Sequence, residues 1–136
     1  MSSPTPGLRS IRSTEGSPSV STAAESEIAP LRKIVARNQV WPRMAAEYGV
    51  TNLVPPWKTS LDGMCDALDR AEGAAGVPDL EERRDDEDRL TSTLYADLPY
   101  PENQLVALAH TLVARGVIDE AELQQRLEAV RARLEA

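Results

Sequence analysis

Phenylalanine is absent from the 136 residues, and there is one cysteine, Cys65, and one histidine, His110. A lone cysteine excludes an internal disulfide and any metal site built on several thiolates of this chain. One histidine leaves too few ligands for a self-contained metal centre. The aromatic residues are only Trp41, Trp57, Tyr48, Tyr95 and Tyr100. No run of about 18 apolar residues occurs, so nothing reads as a membrane span. A glycine-rich phosphate loop is missing too, as is any interpretable Ser/His/Asp spacing. Positive charge is in deficit: 15 lysines and arginines against 22 acids leave a net charge of −7. That balance disfavours nucleic acid and anionic membranes as partners. A cytoplasmic protein is the expectation.

The first 27 residues hold eight serines and three prolines, with only Leu8, Ile11 and Val20 as large apolar residues. Such a stretch buries too little surface to offset its ordering entropy, so 1–27 is expected to be a disordered tail. It lacks the apolar core of a secretion signal. Arg9 and Arg12 among serines hint at a transit peptide, which Glu15 opposes. The remaining segment, 28–136, is expected to be a single small domain whose thin, alanine- and leucine-rich core leans on a partner.

Apolar spacing in that segment is helical almost throughout, and no alternating strand pattern stands out, so the fold class is all-α. Leu31, Ile34 and Val35 mark a first helix from about Pro30, with a break expected at Pro42 and one further turn over 43–48. Trp57, Leu61, Met64 and Leu68 form a stripe on a helix running to Arg70. Asp79 and Glu82 have capping-box spacing ahead of another helix. Leu105, Leu108, Leu112 and Val113 mark a helix that Gly116 should end. Asp119 with Glu122 then caps a last helix carrying Leu123, Leu127, Val130 and Leu134. The stretch from Leu105 to Leu134 therefore reads as a helical hairpin.

The helix after Asp79 is unusual. From Asp79 to Arg89 there are seven acids and three arginines, with Leu80 and Leu90 as the only aliphatic anchors. Leu80, Arg84 and Glu87 share one face, so the stripe expected to meet the core carries an arginine. Either this is a solvated helix laced with ion pairs, or Arg84 faces an anionic site on another subunit. Cys65 reads as a small buried apolar residue and His110 as a packed or rim histidine. Tyr95 and Tyr100 flank a proline-containing corner, where core packing is the plain explanation.

The stretch from Leu80 to Leu123 resembles the N-terminal helical region of nitrile hydratase β subunits. The resemblance is carried by Leu80-Glu81-Glu82-Arg83-Arg84, Glu87-Asp88-Arg89-Leu90, Tyr95, Pro99-Tyr100-Pro101-Glu102 and Leu105-Val106-Ala107-Leu108. It continues through Leu112-Val113-Ala114-Arg115-Gly116-Val117-Ile118-Asp119-Glu120-Ala121-Glu122-Leu123. Upstream, Trp57 and its stripe look like the family's Trp-Glu helix, with a longer loop over 71–76. Pro101 departs from the pattern by replacing the second tyrosine of the family's pair.

The resemblance implies an enzyme that adds water to a nitrile to give an amide. The metal, Co(III) or Fe(III), would be bound not by this chain but by the oxidised cysteine cluster of an α-type partner. Arg84 stands where the family places an arginine that hydrogen-bonds those oxidised cysteines. Tyr95 and Tyr100 match tyrosines lining the substrate pocket, and Arg89 matches a structural arginine. The family's SH3-like β-barrel half is expected on a separate chain, as in the three-subunit relatives. Those relatives are thiocyanate hydrolase and the nitrile hydratase acting on toyocamycin; a composition rich in alanine and arginine suits a bacterial, actinomycete source and points to the second. Beside this reading stand a maturation protein for nitrile hydratase, a thiocyanate hydrolase subunit, and a helical adaptor with no enzyme connection.

Overall fold

The structure is a computed structural model, and it describes residues 26–136 except Glu72 and Ala75. Apart from Ser26 and Glu27, the expected disordered tail lies outside the described residues. Among these there are six helices and no strand: α1 (Ala29–Ala36), α2 (Trp41–Glu47), α3 (Lys58–Arg70), α4 (Leu80–Thr91), α5 (Glu102–Ala114) and α6 (Glu120–Glu135). The all-α expectation stands.

Helix α5 is the centre of the fold, and its sequence says why. It is apolar on nearly every side, and it buries Val106, Ala107, Leu108 and Leu112 together with His110 and Thr111. A helix of that kind must be surrounded. One cluster joins Val106 and Ala107 to Ile28, Leu31, Leu90 and Tyr95; a second joins Leu108 and Leu112 to Leu61 of α3. Leu61 and Leu90 are each 1% exposed, so truncating either to alanine costs about 2–5 kcal/mol through lost burial and the cavity left behind.

Local chemistry sets the ends of the elements. Asp79 accepts from the Glu82 backbone N–H at 2.8 Å, while Glu82 accepts from the Asp79 N–H at 3.0 Å. Two orphan donors of α4 are thereby satisfied in the reciprocal box that the spacing predicts. Asp119 caps α6 through the Glu122 N–H at 3.0 Å. Gly116, at φ 80°, supplies the left-handed residue after α5, and the Val117 N–H returns to the Leu112 carbonyl at 2.8 Å. The hairpin of α5 and α6 forms around this turn. Its second arm rests partly on α1, and no residue of α6 is buried.

Three expectations need correction. The chain breaks before Pro42, not at it: α1 ends at Ala36, Asn38 adopts φ 53°, and Pro42 sits in the first turn of α2, where its missing N–H costs nothing. Trp57 caps α3 and is not its first residue, and Met64 drops out of the buried stripe at 44% exposed. On α4 the face turned inward carries Arg83, Asp86 and Leu90, with Leu80 at 49% exposed. Two of those three inward residues are charged, so an apolar count misplaces the face by one position.

Candidate functional site

Buried charge on α4 needs partners, and the neighbouring helices provide them. Arg83 donates to the Pro78 carbonyl at 3.3 Å and to Asp69 of α3. Asp86 accepts from Arg89 at 2.6 Å, from Nε of Arg115 at 2.7 Å and from the Thr111 hydroxyl. Arg115, at the end of α5, also reaches Glu82 at 3.2 Å. Burial works against the Asp86 charge. The hydrogen bonds from Arg115 and Thr111, and the charges of Arg115 and Arg89, outweigh it and hold the carboxyl below its ordinary range. The network clamps α4 to α5 and fixes the roll of α4 about its own axis.

That roll decides where Arg84 points. With Arg83 and Asp86 turned inward, Arg84 is exposed on the adjoining face. It lines a groove of about 250 Å³ between α3, α4 and α5, together with Leu80, Glu87, Cys65, Gln104 and Leu108. Arg84 forms no hydrogen bond or ion pair with any described residue. Its charge is felt at Glu87, where it opposes the upward push of burial and of Asp88 on that carboxyl. Burial also raises the Cys65 thiol, which keeps it protonated and apolar in the groove wall.

Tyr95 lies in the core at 5% exposed. Its hydroxyl is 2.7 Å from Nδ1 of the fully buried His110, with the rings edge-to-face at 5.6 Å. Burial, with the Glu27 charge behind it, pushes the phenol up to about 12, so it stays neutral at physiological pH. A small cavity of about 90 Å³ touches its edge, lined by Ile28, Arg32, Val35 and Leu94. Tyr100 behaves differently. It is 65% exposed beside the cis Tyr100–Pro101 bond, with the Lys58 ammonium 5.7 Å from its ring centroid.

The three residues singled out by the sequence are thus not gathered in one cavity of this chain. Arg84 opens onto the α3–α4–α5 groove, Tyr95 is held by His110, and Tyr100 faces outward at the start of α5. Sequence reasoning missed what positions them. Arg83 and Asp86 carry a signal in hindsight, since positions 83, 86 and 90 have helical spacing ending on a buried leucine; Arg115 carries none. Glu102, the last residue of the Pro-Tyr-Pro-Glu string, accepts from the Trp41 N–H at the start of α2 and ties that helix to α5. Among the described residues, no group of three or more His, Cys, Asp or Glu could hold a metal ion.

Residues 43–136 match the family described as nitrile hydratase beta subunit, N-terminal. No curated protein and no solved structure matches the chain. The match runs from within α2 to the end of α6 and leaves α1 outside it.

Proposed function

We infer, from the premise that this chain belongs to the nitrile hydratase β-subunit N-terminal family, that it is a β-type subunit of a heteromeric nitrile hydratase. Its α-type partner carries the metal. When bound there, Co(III) or Fe(III) supplies Lewis-acid activation of nitrile or water. A separate chain carries the β-barrel half. The observation supporting this reading is the division of labour among the arginines. Arg83, Arg89 and Arg115 are tied to carboxylates, whereas Arg84, held by their network, is left facing a groove with no counter-ion among the described residues hydrogen-bonded to it.

A guanidinium presented in this way suits paired anionic oxygens, such as those of oxidised cysteines, because its planar fork donates two parallel hydrogen bonds. Arg84 is then a positioning residue: it orients the partner's ligands and does not touch the substrate. Tyr100, exposed and next to Lys58, offers a phenol at the surface the partner would cover. Tyr95 contributes a neutral phenol whose orientation His110 fixes, at the edge of the cavity lined by Ile28, Val35 and Leu94.

The test is substitution in the assembled enzyme. Arg84→Ala should lower kcat at least tenfold and shift the visible sulfur-to-metal charge-transfer band. Arg84→Lys should keep the charge but lose the fork, recovering only part of each. Unchanged turnover with an unchanged band in the alanine variant would remove the proposal. A chain that leaves the mature enzyme during purification would indicate a maturation factor instead.

A further inference from the structure

We propose that the groove between α1 and the C-terminal half of α6 is a docking site for an amphipathic helix with acidic edges, supplied by another chain. The inference is independent of Arg84, and half of this groove is built by α1, which lies outside the residues matching the family.

The groove has a volume of about 760 Å³. Its apolar floor is left open: Ile34 is 40% exposed, Val130 39% and Leu134 75%. On α6 the aliphatic residues Leu123, Leu127, Val130 and Leu134 recur at intervals of four, three and four, the seam spacing of a coiled coil. Leu123 packs against the chain's own core at the near end of the seam, and Leu127, Val130 and Leu134 line the groove beyond it. An open seam of that spacing accepts a helix, whose knobs fit its holes.

Charge selects the kind of helix. On the α1 wall, Lys33 and Arg37 form no hydrogen-bonded ion pair with any described residue. On the α6 wall Glu135 is paired with Arg131 at 3.0 Å, and Glu128 accepts from the neutral Gln124 amide at 2.9 Å. On the other flank of the seam stand Arg126, paired with Glu122 at 3.0 Å, and Arg133. The α1 edge of the groove is thus cationic in a chain whose net charge is −7.

A second copy of α6 is a poor occupant. Running parallel it would set Arg126 against Arg131, and running antiparallel Arg126 against Arg133. The chain's own leading segment is no better, since Arg9 and Arg12 accompany its Leu8 and Ile11. Glutamate or aspartate on an incoming helix meets Lys33 and Arg37 on the α1 side.

The full-length chain would be titrated with a synthetic peptide of about three heptads carrying leucine at the seam and glutamate at the edges. A twin with lysine edges serves as the comparison. The glutamate peptide should bind at least tenfold more tightly, with the advantage shrinking as salt is raised. Lys33→Glu with Arg37→Glu should abolish the preference, and Val130→Asp with Leu134→Asp should abolish binding. Because all four residues are on the surface, circular dichroism of the variants should match wild type. Equal affinity for both peptides, binding that survives the aspartate pair, or a chain dimer in sedimentation that this pair dissolves would each overturn the proposal.

Discussion

Helices α4 and α6 invert what their compositions suggest. Helix α4 has two leucines among twelve residues, most of the rest charged, yet it buries Arg83, Asp86 and Leu90. Helix α6 carries four regularly spaced aliphatic residues and buries none. The difference lies in the neighbours. Helix α4 lies along α5, whose Thr111 and Arg115, with Asp69 of α3, answer its charges one by one. Helix α6 reaches the edge of the bundle, and its far seam is left open by the described residues. Periodicity identifies a face; burial needs a second surface complementary to it.

The largest effect expected from breaking this contrast is at Asp86. Asp86→Ala removes the acceptor shared by Thr111, Arg115 and Arg89 and should cost about 3 kcal/mol in urea unfolding. The same network sets a pH dependence. The folded carboxyl titrates below its unfolded value, so its stabilisation is full above the unfolded value, about pH 4, and is lost as pH falls through the folded one. The wild type should weaken more steeply than Asp86→Asn in acid melts below that point. Parallel curves would show that the clamp contributes nothing.

A smaller loss is expected one layer in. Tyr95→Phe removes the hydroxyl from His110 and leaves a buried ring nitrogen without that partner, for about 1–2 kcal/mol. Smaller again is Asp79→Ala, which deletes one side of the capping box and should cost about 1 kcal/mol. At the low end, Leu134→Ala on the exposed seam of α6 should change the stability of the isolated chain by less than about 0.5 kcal/mol. If Leu134→Ala destabilised the free chain as much as Leu90→Ala, the contrast between the two helices would be gone.

How much of this could be read in the sequence follows the same line. Caps and stops were legible, because Asp79 with Glu82, Asp119 and Gly116 act on residues within one turn of themselves. The core position of α5 was legible through its leucines. The inward face of α4 was not, since it depends on Asp69 and Arg115, distant in sequence and invisible to a count of apolar residues. Of the candidate site, Arg84, Tyr95 and Tyr100 were picked out by resemblance. Their surroundings were not: neither the clamp beside Arg84 nor the His110 contact of Tyr95 follows from spacing alone.

The most direct test is where the Arg84 guanidinium goes once the chain is assembled with the α-type subunit proposed to carry the metal. A structure of that complex should place two of its nitrogens about 2.8 Å from oxygens on the partner's oxidised cysteines, with the Asp86 clamp intact behind it. Arg84 left in solvent, or turned back to Glu87 while another residue takes those oxygens, would contradict the proposed role.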